Sequence, residues 1–251
     1  MHNAQIEILG VKIDAVSGEE ILEAIRQTID RGEKEVFAYA NIHAINLAQD
    51  NQWFRSFLNS SVITYPDSNG VQLGALILGK RLPASTALTR WIWRLAEYCS
   101  GKGYAIYLLG GKEGTAERAG QFMRDRFPNL KIAGFYNGHF EEQESGKIIL
   151  EINAVKPQIL LVGMGMPKQE EWIHRHRDAL QVNVIFPAGA AIDFAAGVRT
   201  PAPAWIAGIG LEWLFRLVAE PTRLFRRYMI GNPHFIWNVF RQRMTAGSKK
   251  L

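Results

Sequence analysis

Asp67 is the residue of this sequence whose position most directly suggests chemistry. It lies in the stretch "TYPDSNGVQLGALILG", between a short apolar strand and a helix-like apolar run that begins at Val71. A carboxylate at the end of a strand could act as a general base that takes a proton from an attacking hydroxyl. Pro-Asp-Ser-Asn-Gly is also typical of a turn or a helix cap, and taken alone this loop favours that structural alternative.

A second candidate site is the segment "GMGMPKQEEW", which runs from Gly163 to Trp172. Its glycines allow close approach of the backbone to a ligand, and its proline suits the first turn of a helix. Lys168, Gln169 and Glu170 should then project from a helix N-terminus, where phosphates and hydroxyls bind readily. A tight structural turn is the alternative, but the segment favours a ligand site.

Two further patterns are less specific. Gly110 and Gly111, followed by Lys112, resemble a turn that cradles phosphate. His174 and His176 stand two apart on a predicted helix and point in different directions, which favours a solvated basic face over a metal site.

The spacing of the aspartates bears on metal binding. None of the seven aspartates forms an Asp-x-Asp pair, an arrangement that often holds a divalent ion against a nucleotide-sugar diphosphate. We therefore predict no metal site and no cofactor. Lysines, arginines and helix termini would have to neutralise a diphosphate.

The elements that position these residues alternate along the chain. Apolar strand-like runs such as "EVFAYA", "YAIYLL", "QILLV" and "VNVIF" are separated by helical segments. This alternation predicts an α/β fold with a mainly parallel sheet and helices on both faces. Because ligands bind at the carboxyl ends of such strands, the loops containing Asn41, Asp67, Gly110, Gly163 and "PAGAAID" should converge on one site.

The composition changes after Arg199. Positions 201–243 contain three of the seven tryptophans and six arginines, but only two acids, Glu212 and Glu220. We predict a core over residues 1–200 and a helical basic and aromatic appendage over residues 201–251. In "LEWLFRLVAEPTRLFRRYMI" the aromatic residues and arginines recur at near-helical spacing, which favours contact with anionic lipid or phosphate. A packed helix with solvated arginines is the alternative.

The cysteine content and the N-terminal sequence fit a protein that works inside the cell. The 251 residues contain one cysteine, Cys99, for which we expect a buried structural role, and the N-terminus lacks signal-peptide features. No apolar run approaches the roughly 20 residues that span a bilayer. We expect a cytoplasmic location, and the net charge of +5 suggests an anionic partner.

Taken together, these motifs resemble the WecG/TagA/CpsF family of bacterial glycosyltransferases. The resemblance covers nearly the whole chain, through "AN" at 40–41, "YPDSNGV", "LLGGKEG", "FYNGHF", "LLVGMGMPKQE", "AGAAIDFAAGVRTPAP" and "GLEWLFRLVAEPTRLFRRY". It implies a Rossmann-like core and inverting, metal-independent transfer of a sugar. The implied donor is a UDP-sugar, typically an N-acetylmannosamine derivative.

The resemblance also assigns roles to single residues. It implies that Asp67 is the base, that Asn41 is the donor-site asparagine and that Gln169 is the helix-opening glutamine, and we expect all three to be catalytic. The appendage arginines that would stabilise the diphosphate match Arg216, Arg223 and Arg226. For substrate binding we add the loop and helix residues Gly110, Gly111, Gly163, Gly165, Lys168 and Glu170.

The implied acceptor is a saccharide linked to polyprenyl diphosphate, used in the synthesis of wall teichoic acid, capsule or exopolysaccharide. The appendage would place the enzyme peripherally on the inner face of the cell membrane. The oligomeric state stays open, with a homo-oligomer among the options, and no nucleic-acid partner is expected.

Two segments depart from the family pattern. Asp67 is followed by Ser68 and Asn69 where the family commonly has glycine and a hydrophobic residue. In "RLPASTALT", Ala84 and, approximately, Thr86 replace a glycine and an acid. The donor sugar could therefore be glucose or another hexose.

Two other classes of protein compete with this interpretation. A nicotinamide-dependent oxidoreductase should show Gly-x-Gly-x-x-Gly after its first strand, but the sequence there is "DAVSGEE". A non-enzymatic membrane- or nucleic-acid-binding module would explain the basic appendage but not the polar loops of the core.

Overall fold

A computed structural model describes residues 4–83, 87–203 and 212–248. Its centre is a sheet of six parallel strands in the order β4-β3-β8-β7-β5-β6, as the alternation of elements predicts. The strands of this sheet are β3 (Glu35–Ala40), β4 (Ile63–Pro66), β5 (Ala105–Gly110), β6 (Lys131–Tyr136), β7 (Ile159–Gly163) and β8 (Val184–Pro187).

Helices pack on both faces of this sheet. The face covered by α2, α3, α7 and α8 includes Phe54, Ile148 and Trp172 in its core. The opposite face is covered by α1, α5, α6 and α9 and includes Ile21 and Leu95. The helices of the core are α1 (Gly18–Asp30), α2 (Ile42–Asp50), α3 (Gln52–Ser60), α4 (Asn69–Ile77), α5 (Leu88–Lys102), α6 (Thr115–Arg126), α7 (Ser145–Val155), α8 (Lys168–His176) and α9 (Ala191–Ala195).

The first two strands lie outside the parallel sheet. β1 (Gln5–Ile8) and β2 (Val11–Asp14) form an antiparallel hairpin that the sequence pattern did not predict. Its turn residues Leu9 and Gly10 both have positive φ, at 51° and 82°. The Asp14 carboxylate accepts a hydrogen bond from the Thr64 N–H at 2.7 Å, so the hairpin is joined to β4.

The described part of the appendage is helical, as predicted. It contains α10 (Glu212–Ala219), α11 (Pro221–Phe225), a π-helical turn (Arg226–Ile230) and α12 (Gly231–Ser248). No helix in the described ranges has both the length and the apolar character needed to cross a membrane.

The final helix, α12, packs against the core of its own chain. Phe235 is fully buried, and a Cβ on Gly74 of α4 would lie 2.7 Å from its ring. The Leu9 N–H donates to Gln242 Oε1 at 2.9 Å, and Asn46 Nδ2 donates to the Gly231 carbonyl at 2.8 Å. Contacts with the hairpin, α2 and α4 therefore fix the position of α12.

Removing the Phe235 ring should test this docking. Phe235→Ala is expected to lower the free energy of unfolding by about 3–5 kcal/mol, because it leaves a cavity in the core. Trp237→Ala is the matched control, since Trp237 is 62% exposed on the same helix and its loss should change stability by only about 0.5 kcal/mol. Guanidinium denaturation measures both. If Phe235→Ala lowered the free energy of unfolding as little as Trp237→Ala does, that result would contradict the docked arrangement.

Candidate active site

A cavity of about 390 Å³ lies where the loops after β3 and β4 meet the appendage. Its core side is formed mainly by the start of α2, by the Asp67 loop and by the start of α5. Its other wall comes from the appendage of the same chain: Glu212, Trp213, Arg216, Arg227, Tyr228, Asn232 and Ile236. The appendage therefore covers its own core.

Asp67 lies in this cavity directly after the last residue of β4. Its backbone N–H donates to the Ala40 carbonyl at 2.9 Å, which continues the pairing of β3 with β4 beyond the strand end. Helix α4 begins at Asn69, and its N-cap residue is Ser68 rather than Asp67. The structure therefore does not support the helix-cap alternative for this aspartate.

The environment of the Asp67 carboxyl raises its pKa to about 6, chiefly through burial away from water. Arg216, the Asn41 amide and Arg227 act in the opposite direction, and Glu212 adds to the rise. The resulting pKa lies close to neutral pH, where a carboxylate is most useful as a proton acceptor.

Asn41 is held beside Asp67 by its place at the start of α2. It is the N-cap of that helix, and its Oδ1 accepts a hydrogen bond from the Ala44 N–H at 3.0 Å. This fixes the side chain, so that its amide group can stabilise the ionised form of Asp67. Asn41 is 8% exposed and lines the cavity.

Two polar atoms at the cavity lack partners among the described residues. Ser68 Oγ and Arg216 Nε are both buried and make no hydrogen bond there. A serine at an N-cap usually accepts a hydrogen bond from the first turn of its helix, but Ser68 does not. Since buried polar groups are normally hydrogen-bonded, these two atoms are available to a bound ligand or to water.

Arginines give the cavity its positive charge. Arg216 forms an ion pair with Glu212, which also pairs with Arg90 of α5. Arg227 is a third arginine in the lining, and Trp213 and Tyr228 form an edge-to-face pair with ring centroids 6.1 Å apart. A carboxylate, several arginines and aromatic rings in one cavity suit a sugar bound next to a phosphate.

The comparison with protein families agrees with this geometry. Residues 6–249 match the model of the Glycosyl transferase WecG/TagA/CpsF family. The chain belongs to this family.

Among the relatives of this WecG/TagA/CpsF member are proteins of Staphylococcus aureus strains NCTC 8325 / PS 47, COL and MSSA476. Each carries the name N-acetylglucosaminyldiphosphoundecaprenol N-acetyl-beta-D-mannosaminyltransferase, and each is 25% identical to this chain over 244 residues. The match covers 95% of this chain and 93% of each relative. The chain is a glycosyltransferase, so the oxidoreductase and the non-enzymatic module are excluded as alternatives.

In this WecG/TagA/CpsF member the predicted appendage arginines do not share one environment. Arg216 lines the cavity, whereas Arg223 and Arg226 are exposed and lie outside its lining. Arg223 Nε donates to Glu220 at 2.6 Å, and Glu220 also pairs with Arg199. The cavity instead receives Arg227, which the sequence analysis did not select.

The glycine loops lie at the same edge of the sheet but are not part of the cavity wall. A Cβ on Gly110 would lie 2.5 Å from the Gly163 carbonyl oxygen, so this site requires glycine for backbone packing between loops. Gly111 and Gly165 both have positive φ, at 70° and 83°. Their predicted contact with substrate stays a prediction.

The residues that open α8 are placed differently from the sequence prediction. Lys168 is exposed, with its Nζ 5.7 Å from the Phe140 ring centroid. Gln169 and Glu170 are 0% and 1% exposed, so they do not project from the start of the helix as the sequence analysis expects; their contact with substrate stays a prediction. Both lie on the buried face of α8 together with Trp172.

The sequence analysis also missed several residues of the cavity. His43 lies two positions after Asn41, and burial together with Arg227 and Arg223 lowers the pKa of its imidazole to about 4. The imidazole is therefore neutral at pH 7. Arg90 and Glu212 were missed as well, because they are 122 positions apart and only the tertiary structure brings them together.

Ala84 and Thr86, at which the sequence departs from the family pattern, lie outside the described residues. Ser68 and Asn69, the other departure, both line the cavity. Cys99 is fully buried, as expected.

Proposed function

We propose that this glycosyltransferase is inverting and metal-independent, and that it moves a sugar from a UDP-sugar to a saccharide linked to polyprenyl diphosphate. The observation that carries the proposal is the position of Asp67. Its carboxylate lies in a cavity beside Arg216 and Arg227, so a proton acceptor and groups that stabilise a diphosphate occupy one site.

The chemistry follows from that juxtaposition. Ionised Asp67 accepts the proton of the acceptor hydroxyl while the hydroxyl oxygen bonds to the anomeric carbon. The bond from that carbon to the donor diphosphate breaks, and its electron pair stays on the diphosphate oxygen. Attack from the face opposite UDP inverts the configuration. Arg216 and Arg227 stabilise the charge that develops on the leaving group, which removes the need for a metal ion.

The name of the Staphylococcus aureus relatives supports the proposed acceptor, because it specifies a sugar diphosphate on undecaprenol. The same name supports an N-acetylmannosamine-type donor sugar. Since Ser68 and Asn69 line the cavity, a hexose is the alternative for this chain. Either sugar places the enzyme in the synthesis of a cell-surface polysaccharide.

Exposed apolar side chains on the appendage support a peripheral position on the inner face of the membrane. Val218, Trp237 and Met244 are between 62% and 76% exposed. Exposed Arg223 and Arg226 lie on the same appendage and would attract anionic lipid headgroups. This location would bring the cavity to a lipid-linked acceptor.

An assay of UDP release tests the proposed function. The purified protein is incubated with a panel of UDP-sugars and a synthetic polyprenyl-diphosphate sugar acceptor, with and without EDTA. We expect release from one donor that depends on the acceptor and is unchanged by EDTA, with an inverted anomeric centre in the product by NMR. Release that EDTA abolishes would overturn the metal independence, and a retained anomeric configuration would overturn the stereochemistry.

A further inference from the structure

Gln169 joins three strands of the sheet through one side chain. Its Oε1 accepts hydrogen bonds from the N–H groups of Gly165 and Gly189, at 3.2 and 3.0 Å. Its Nε2 donates to the Tyr39 hydroxyl at 3.2 Å and to Glu170 Oε1 at 2.7 Å. Both lone pairs and both amide protons are therefore used. The side chain connects the loops after β7 and β8 to β3.

Glu170 is the unusual member of this group. Its Oε1 accepts from Gln169, whereas its buried Oε2 has no partner in the described ranges. Burial raises the pKa of this carboxyl to about 7. A buried acid with an unpaired oxygen destabilises the fold relative to an apolar residue of similar size. Packing alone therefore does not account for an acid at this position.

The chemistry of the two acceptors shows what Glu170 adds. The Tyr39 hydroxyl can donate or accept, so it can pair with either the oxygen or the NH₂ group of the Gln169 amide. An ionised carboxylate can only accept, so Glu170 requires the amide NH₂ group. The amide oxygen then points to the N–H groups of Gly165 and Gly189, and a charged acceptor strengthens that chain of hydrogen bonds.

This arrangement is linked to the cavity. Tyr39 is followed on the same strand by Ala40, whose carbonyl accepts from the Asp67 N–H, and then by Asn41. The side chain of Gln169 thus ties the two glycine-containing loops to the strand end that carries Asn41 and orients Asp67.

We propose that Glu170 is a positioning residue for the donor: through Gln169, it holds the loops after β7 and β8 in a fixed relation to the strand that carries Asn41. This inference rests on the proposed function, in which the protein binds a UDP-sugar, and on the sequence prediction that those loops converge on the same site. Gln169 would then also act by positioning, because it is fully buried and lies outside the cavity lining.

Amide hydrogen exchange tests the positioning without any substrate. Protein labelled with ¹⁵N-glycine is compared by NMR in the wild type, Glu170→Met and Glu170→Gln. Methionine removes the acceptor, so exchange at Gly165 and Gly189 should become about tenfold faster or more. Glutamine keeps an acceptor oxygen for Gln169 but can also donate and carries no charge, so exchange at the two glycines should be accelerated less than in Glu170→Met. Gly138, whose N–H donates to the Gly111 carbonyl at 2.8 Å, is the internal control.

A second variant covers the case in which Glu170→Met does not fold. Glu170→Asp keeps the charge but withdraws the carboxylate by one methylene, so it should also accelerate exchange at Gly165 and Gly189. Unchanged exchange at both glycines in a folded Met or Asp variant would overturn the inference.

Calorimetric titration with UDP then separates this inference from the proposed function. We expect UDP affinity about tenfold weaker in Glu170→Met, and a smaller loss in Glu170→Gln. Faster exchange with unchanged UDP affinity would reduce Glu170 to a structural residue and overturn its role in donor binding. A wild-type protein that does not bind UDP would overturn the proposed donor, and with it the role of Glu170 toward that donor. The effect of Glu170 on the loops would still be measured by amide hydrogen exchange at Gly165 and Gly189.

Discussion

Asp67→Asn is expected to lower kcat for acceptor-dependent UDP release by about 10²–10⁴-fold, the usual contribution of a general base. Asparagine has nearly the same shape but cannot take the proton of the acceptor hydroxyl. Arg216 and Arg227 stay in place, so the affinity for UDP should change by only about twofold. Steady-state kinetics and calorimetry measure the two quantities, and a kcat close to that of the wild type would remove Asp67 from the mechanism.

The pH dependence of the wild-type enzyme provides a second check on Asp67. Because its pKa is about 6, kcat/KM should rise about tenfold per pH unit below pH 6 and level off above it. The residual activity of Asp67→Asn should lack this step. A wild-type profile that is flat from about pH 5 to about pH 7 would contradict the assignment.

Stability distinguishes a catalytic effect of Asp67→Asn from a structural one. Burial raises the folded-state pKa of Asp67 to about 6 from its ordinary value of 3.8, so the ionised carboxylate disfavours folding above that range. This penalty appears as the pH rises through the interval between the two values, and it is fully present at neutral pH. Asparagine does not ionise, so the variant should be at least as stable as the wild type. A lower melting temperature at neutral pH would instead indicate structural damage.

Much of the fold could be predicted because the signals are local. The runs "EVFAYA" and "QILLV" are apolar throughout, as expected for strands buried on both faces, and they form β3 and β7. The spacing of Ser17 and Glu20 in "SGEE" indicates a capping box, and the two residues form one at the start of α1. The position of Asp67 at a strand end followed from the same kind of evidence.

The hairpin was missed because its turn has an unusual sequence. Both turn residues have positive φ, which normally selects Asn-Gly or Asp-Gly, whereas this turn is Leu9-Gly10. Leucine rarely adopts such a conformation, so the residue types gave no turn signal. The pattern of "VKIDAVSGEE" therefore predicts a strand followed by a helix, and not the second strand of a hairpin.

The placement of Gln169 and Glu170 depends on contacts that are distant in sequence. The partner of Gln169 on β3, Tyr39, is 130 positions away. A polar run after a proline predicts an exposed first turn, and only the tertiary structure shows that these side chains turn inward. The sequence therefore identified the segment but not the direction of its side chains.

The appendage arginines show a second reason why the sequence alone did not identify every residue of the cavity. The resemblance selects Arg226, but Arg226 and Arg227 begin a π-helical turn, which places side chains differently from an α-helix. In the structure Arg227, not Arg226, lines the cavity. Adjacent arginines are equivalent by composition, so the backbone geometry of this turn decides which one reaches the site.

Arg227→Ala should therefore lower kcat by about 10²-fold or more, since its guanidinium is proposed to stabilise charge on the departing diphosphate. Arg226→Ala is the matched control: it removes the same charge from the same turn, but from an exposed position outside the cavity lining. With a short-chain, water-soluble acceptor, kcat of Arg226→Ala should stay within about threefold of the wild type.

Comparing the two variants on vesicles separates catalysis from membrane binding. An exposed arginine near an anionic surface contributes about 1 kcal/mol to binding, so Arg226→Ala should weaken sedimentation with anionic vesicles about fivefold. Arg227→Ala should bind those vesicles more tightly than Arg226→Ala does, because Arg227 is partly buried in the cavity wall. Equal losses of kcat in the two variants with the soluble acceptor would mean that total charge matters rather than position. That result would contradict the assignment of Arg227 to the diphosphate.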